Sequence, residues 1–143
     1  MDLISLSPEV RSALDNGEAV VALESTILCH GFPPSERRVL AEELQSAIRA
    51  EGAVAATVAV VDGQVCAGLV PAQMERLLSA PDVAKCSARD VALVATQGRM
   101  GATTVAATMM VAAQAGIEVF ATGGIGGVHR GGETSLDVSA DLA

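Results

Sequence analysis

Glu24 directly follows the apolar run Ala19–Leu23 (AVVAL). A continuous apolar run of this length reads as a buried strand, and open α/β sheets bind ligands at the C-terminal ends of their strands. A carboxylate placed there is half withdrawn from water, which favours its protonated form and suits a general acid. Capping of the next turn, or an ion pair with an arginine, is the structural alternative. Lys85 is the only lysine in the chain and lies in AKCSA, residues 84–88. An amine among small and apolar neighbours can hold a phosphate or form an imine, or it can snorkel from the surface. Gly101-Ala102-Thr103-Thr104 precedes a helix-forming run. Free N–H groups and two hydroxyls at such a start suit a phosphate, or simply cap the helix. The segment from Ala121 to Asp141 packs Gly123, Gly124, Gly126, Gly127, Gly131 and Gly132 around His129 and Arg130. Glycine is costly to order, so such a cluster points to left-handed backbone or to close approach of a ligand. Glu133, Asp137 and Asp141 in the same segment could offer oxygens to a hard divalent cation.

These groups need elements to position them. Ser7–Leu14 reads as a short helix capped by Ser7, with Pro8 in its first turn. His30 to Pro34 reads as a loop, because two prolines cannot continue a strand. Ser35 would cap a helix from Glu36 to Ala50 with Val39, Leu40, Leu44, Ala47 and Ile48 on one face. Val54–Val61 (VAATVAVV) is a second strand, and Asp62-Gly63 is a hairpin signal that returns Gln64–Leu69 antiparallel. A short helix over Pro71–Leu78 follows, then a short strand over Ala84–Ala88 that carries Lys85. Arg89–Thr96 is helical, Gln97–Gly101 a turn, Thr103–Ala115 a helix of small residues and Ile117–Ala121 a last strand. This order is that of a mixed α/β fold, a mixed sheet flanked by helices, in one domain spanning residues 1–143.

Composition narrows the function. Half the residues are hydrophobic, with two Phe and no Tyr or Trp, and the net charge is −8. Such a balance opposes a nucleic-acid polymer as partner, while leaving room for one small phosphate in a local pocket. The cysteines Cys29, Cys66 and Cys86 match no zinc spacing and are expected as reduced thiols of a cytoplasmic protein. No run is long enough to span a membrane. His30 and His129 have no partner at metal-ligand spacing. The glycine cluster misses the third glycine of a dinucleotide fingerprint, since Gly124-Ile125-Gly126 runs on to Gly127, Val128 and His129.

Four strings carry a resemblance. ALESTI (Ala22–Ile27) with His30-Gly31, GATTVA (Gly101–Ala106), FATGGIGGVHRG (Phe120–Gly131) and DVSADL (Asp137–Leu142) are similar to motifs of the pseudouridine-5′-phosphate glycosidase family. The similarity runs from about Ser7 to the last residue, and the long glycine string together with ALESTI is its most specific part. The resemblance implies reversible cleavage of the C–C glycosidic bond of pseudouridine 5′-phosphate to uracil and ribose 5-phosphate. It implies that the ribose C1′ is held as an imine on a lysine while an acid protonates the uracil carbon, with a Mn²⁺ ion organising the site.

By match of motif, Glu24 would be the proton donor and Asp137 the metal ligand. Lys85, Val105, Ser139, Ala140 and Asp141 would bind substrate. The resemblance also implies a homotrimer and a chain about twice this length. The imine-forming lysine is expected shortly beyond the Ser139-Ala140-Asp141 string, outside this sequence. An apolar face is then expected where the remainder packs. The alternative reading is an inactive or split-enzyme fragment that binds sugar phosphate or assembles with a partner chain. The loop Phe32-Pro33-Pro34-Ser35-Glu36 is one residue shorter than the family pattern and lacks its Asn.

Overall fold

The structure, a computed structural model, describes residues 3–142. Its frame is a seven-stranded mixed sheet with helices on both faces. The strands are β1 (Ile4–Leu6), β2 (Val20–Leu23), β3 (Val54–Val61), β4 (Gln64–Ala67), β5 (Ala84–Cys86), β6 (Gly101–Thr103) and β7 (Val119–Ala121). The helices are α1 (Pro8–Asp15), α2 (Thr26–His30), α3 (Pro34–Ala50), α4 (Pro71–Ser79), α5 (Val91–Thr96), α6 (Val105–Gln114) and the single turn α7 (Gly132–Ser135), before a 3₁₀ turn at Ala140–Leu142.

β3 is the axis of the sheet. Every residue from Ala55 to Val61 is buried, which is why its sequence is a continuous apolar run and not an alternating one. Ala56 and Val58 face α1 and α6, where Val10, Ala13, Val111 and Ala112 complete one core. Ala59 and Val61 face α2, α3 and α4, where Leu28, Ala41, Leu77 and Leu78 complete the other. The many alanines let helices sit close to the sheet without aromatic filler. β4 pairs antiparallel along one edge of β3 through the Asp62-Gly63 turn, whose two residues have φ of 51° and 79°. That is the left-handed pair a tight hairpin requires.

The other edge of β3 is shared by two strands laid end to end. β2 pairs parallel with Val54–Thr57, and β6 pairs antiparallel at Ala59 and Val60. β2 and β6 therefore run toward each other, and their C-terminal ends meet beside Val58. Neither ladder reaches the Val58 carbonyl, and a buried carbonyl needs a partner. Ser25 and Thr103, the residues at the two tips, each donate a hydroxyl to it at 2.7 Å. The Ser25 hydroxyl also accepts the Thr103 N–H at 2.8 Å, and Thr108 of α6 donates to Thr103 Oγ1 at 2.9 Å. Ser25, Thr103 and Thr108 are fully buried. This hydroxyl joint replaces one missing rung of the sheet.

Five elements were not foreseen from sequence: β1, α2, β6, α7 and the 3₁₀ turn at Ala140–Leu142. β1 is three residues paired only with β4, too short to show a period. α2 starts at Thr26 within ALESTI and takes in His30, so the loop expected from His30 begins only at Gly31. β6 takes Gly101–Thr103, in place of the end of a turn and the start of a helix. α3 starts two residues earlier than expected. Pro34 is its first residue, where a missing N–H costs nothing, so Ser35 lies inside the helix and does not cap it. Its expected apolar face is also corrected, because Val39 and Ala47 are exposed and Ala41 is the buried residue.

Candidate active site

The tip-to-tip meeting of β2 and β6 gathers the chemistry. β7 runs parallel to β2 and sets Ala121 beside Leu23, so Thr122 arrives next to Glu24. β5 runs parallel to β6 and sets Lys85 beside Ala102. Four strands thus end at one place, and α6 starts there. The cleft between them has a volume of about 350 Å³. Glu24, Lys85, Val105, Ser139, Ala140 and Asp141 all line it, together with Thr26, Ser87, Arg89, Asp90, Thr104 and Gly124.

Glu24 is half-buried. Thr26 donates its hydroxyl to Oε2, and Thr122 donates to Oε1 at 2.5 Å. The carboxylate is held on both oxygens, and a hydroxyl can reverse its role and accept. The same two threonines can therefore hold Glu24 with or without a proton. Thr26 and Thr122 were not singled out from sequence. Both lie within motifs that were, so the signal was their adjacency to Glu24 and to the glycines.

The charges divide into engaged and free. Asp141 is engaged: Oδ1 accepts the Ala106 N–H of α6 at 3.1 Å and Oδ2 accepts the Gly126 N–H at 3.0 Å. Asp90 is engaged too, accepting the Ser87 hydroxyl at 2.6 Å and the Ser87 N–H at 3.0 Å. Those bonds hold its carboxyl below the usual range. Lys85 and Arg89 are exposed side chains on the rim. Among the described residues Lys85 is in no ion pair, and Arg89 lies 3.8 Å from Asp90. The Thr104 hydroxyl at the start of α6 is buried without a hydrogen-bond partner. Two cations, a helix start and an unpaired hydroxyl face one small volume, a setting for an anion.

The glycines explain the floor. Gly131 alone of the six has a left-handed φ, 81°. At Gly126 the reason is space: a Cβ there would fall 2.1 Å from Ser139 Oγ and 2.9 Å from Asp141 Oδ2. The close approach is to the Ser139–Asp141 segment of the same chain. Ser139 N–H bonds Gly127 O at 2.9 Å and Asp141 N–H bonds Ser139 Oγ at 3.1 Å, which closes this loop on itself.

Asp137 does not line the cleft. It is exposed, and its carboxylate lies 2.7 Å from His129 Nδ1, beside the bridge between Val128 and Val138. Asp137 is the ion-pair partner of His129. Among the described residues no three His, Cys, Asp or Glu side chains come together as a metal cage. A hard divalent cation prefers six or more oxygens, so the side chains present do not by themselves fit a bound Mn²⁺. A larger groove, about 400 Å³, runs between α1, α3 and α4. It lies by the ends of β1 and β4; its two arginines are paired, Arg49 with Glu9 at 3.3 Å and Arg38 with Glu75, and none of the four motif strings lines it. The cleft at the strand ends is the candidate site.

Known proteins share this layout. Residues 9–143 match the family described as indigoidine synthase A like protein. A pseudouridine-5′-phosphate glycosidase of Herpetosiphon aurantiacus is 55% identical over 142 residues, covering 99% of this chain and 47% of that protein. One of Rhodospirillum centenum is 56% identical over 141 residues, covering 99% and 44%. The crystal structure of the prealnumycin C-glycosynthase AlnA in complex with ribulose 5-phosphate superposes with a TM-score of 0.89 at 43% identity, covering 99% of this chain and 46% of that one. An indigoidine synthase A-like protein of Thermotoga maritima gives 0.81 at 33% identity, covering 97% and 44%. The chain spans about half the length of the curated relatives it matches. With a family model matching residues 9–143 and a fold shared with these solved relatives, the chain belongs to the indigoidine synthase A-like family.

Proposed function

We propose that this chain supplies the acid and the sugar-phosphate part of a site that cleaves the C–C glycosidic bond of pseudouridine 5′-phosphate, reversibly, to uracil and ribose 5-phosphate. The observation that carries the reading is the convergence of Glu24, Lys85, Val105 and Ser139–Asp141 in one cleft. The names of the relatives, glycosidases of this substrate and a C-glycosynthase solved with a pentulose phosphate, support it.

In this reading the phosphate lies against Lys85 and Arg89, near the start of α6 and the free Thr104 hydroxyl. Ser139 and Ala140 bound the sugar, and Asp141 keeps their loop against α6. Glu24 protonates the base. When the C–C bond breaks, its electron pair remains on the base carbon, and Glu24 delivers the proton that completes uracil. Thr26 and Thr122 hold the carboxyl at the right angle before and after that transfer. The positive charge left at C1′ needs a nitrogen to accept it as an imine. Lys85 is the chain's only lysine and is assigned to the phosphate. The imine-forming lysine is therefore placed in the portion of the relatives that this chain does not span. Asp137 is proposed as the one protein ligand of a Mn²⁺ ion otherwise held by water; no step above depends on it. Cytoplasmic location and a trimeric assembly belong to the same proposal. Among the described residues no helix is long and apolar enough to cross a membrane.

Ligand binding tests this reading directly. Ribose 5-phosphate at a hundred times its Kd is expected to stabilise the chain by about 2.7 kcal/mol, read as a rise in Tm. Lys85→Ala is expected to abolish the rise, and Glu24→Gln to keep it. With pseudouridine 5′-phosphate and Mn²⁺, the chain alone is expected to release no uracil. A rise with NAD and none with ribose 5-phosphate would overturn the proposal in favour of a dinucleotide site.

A further inference from the structure

α6 is apolar along its length, VAATMMVAAQ, except for Thr108 and the terminal Gln114. Thr108 is fully buried. A valine has nearly the same shape and a similar modest helix propensity, and burying a hydroxyl costs free energy unless it is bonded. Helical threonines commonly donate to the carbonyl of the preceding turn. Thr108 instead reaches off its helix and donates to Thr103 Oγ1 on β6 at 2.9 Å. That bond is not needed to complete the sheet. The Val58 carbonyl has two lone pairs, and Ser25 and Thr103 fill both.

The direction of every bond in the joint is fixed. The Thr103 hydroxyl has placed its proton on Val58, so it receives Thr108 as an acceptor. The Thr103 N–H goes to Ser25 Oγ at 2.8 Å, and the Ser25 N–H returns to the Thr103 carbonyl at 3.3 Å. Both ends of the joint carry parts of the site. Glu24 precedes Ser25, and Thr104, with its unpaired buried hydroxyl, follows Thr103. The Thr104 N–H is bonded to the Cys86 carbonyl at 2.8 Å, one residue from Lys85, and α6 begins at Val105. Lys85, Thr104 and the start of α6 therefore form one body, and the acid is joined to that body through Ser25 and Thr103.

We propose that Thr108 is a positioning residue: acting through Thr103 and Ser25, it fixes the separation between Glu24 and the anion-binding start of α6. Thr108 does not line the cleft. Pseudouridine 5′-phosphate in the cleft spans that separation, with its phosphate at one end and the base carbon at the other. A fixed distance then brings the carbon to the proton. The role rests on the reaction proposed above and adds the device that keeps its two ends in register. A misplacement of about 1 Å can slow a reaction on the order of 10²-fold, while phosphate contacts made within one body stay as they are.

Thr108→Val removes one hydroxyl, keeps the shape and leaves no buried donor unpaired, so the chain is expected to fold. In this chain, its Kd for ribose 5-phosphate is expected to stay within about twofold of the parent. Turnover is read in a polypeptide joining this chain to the remaining portion of the Herpetosiphon aurantiacus relative. There Thr108→Val is expected to lower kcat for uracil release at least about tenfold, with KM within about twofold. Thr108→Ser, which restores the hydroxyl, is expected to recover kcat to within about threefold of the parent. Val10→Ala, a buried change on α1, is the stability control: it is expected to lower Tm at least as far as Thr108→Val with kcat unchanged. An unchanged kcat in Thr108→Val would overturn the proposal and leave the reaction standing. So would a serine no better than the valine, or a Val10→Ala protein that loses kcat equally. A KM or ribose 5-phosphate Kd that rises as much as kcat falls would also overturn it, since the hydroxyl would then shape the phosphate end alone. No uracil from the joined parent protein would overturn the reaction, and the positioning role with it.

Discussion

Glu24 shows how a single side chain is prepared by its neighbours. Its two oxygens are held by hydroxyls from two different strand ends, Thr26 and Thr122. Neither threonine needs to touch substrate; each fixes where the proton points. The cysteines make the opposite case, reactive groups put out of use. Burial pushes the Cys29 and Cys86 thiols up to about 11. Their folded pKa lies above the unfolded value near 8.5, so their contribution to stability is complete below about pH 8.5 and is lost as pH rises toward 11. Urea unfolding between pH 7 and 10.5 is expected to show stability falling above about pH 8.5. The variant Cys29→Ala/Cys86→Ala is expected to give a flatter profile; equal slopes would remove the thiols as the cause. Glu24 and Lys85 stood out in the sequence because each is unusual where it stands, and Asp141 only by match of motif. Thr26 and Thr122 did not, because a threonine beside an acid is common and only the pairing of β2 with β7 brings Thr122 there.

At the scale of elements, the site is made by strands ending together. The long strand β3 was readable from eight apolar residues in a row, and the hairpin after it from Asp62-Gly63. What sequence could not show is that β2 and β6 share one edge of β3 and meet at Val58. β6 is only three residues long and looked like the end of a turn. The join depends on side-chain hydroxyls and not on a periodic pattern, so no local signal announces it. The loop from Gly126 to Asp141 is likewise held by a few named bonds. Asp141→Asn is expected to place an amide donor against the Gly126 or Ala106 N–H, and to cost about 1–3 kcal/mol as part-buried charge-assisted bonds are lost. Amide exchange at Gly126 and Ala106 is expected to quicken in that variant, and ribose 5-phosphate affinity to fall with it. A variant that exchanged as slowly as the parent chain would mean the carboxylate is not the tie.

At the scale of the molecule, the chain is a folded α/β unit with three clusters of core residues and, among the described residues, edge strands at β1, β5 and β7. Its cleft carries an acid, two cations and a closed glycine loop. The fold class was readable from the order of elements. The division of labour was not, because it depends on which strand ends meet. The central claim is that Glu24 is the acid of a C–C glycosidic cleavage. The most direct measurement is uracil release from pseudouridine 5′-phosphate by a polypeptide joining this chain to the remaining portion of the Herpetosiphon aurantiacus relative. The joined protein is expected to release uracil, and Glu24→Gln to slow release by about 10²–10⁴-fold, the usual worth of a general acid, with substrate affinity retained. A Glu24→Gln protein that released uracil at the parent rate would contradict it.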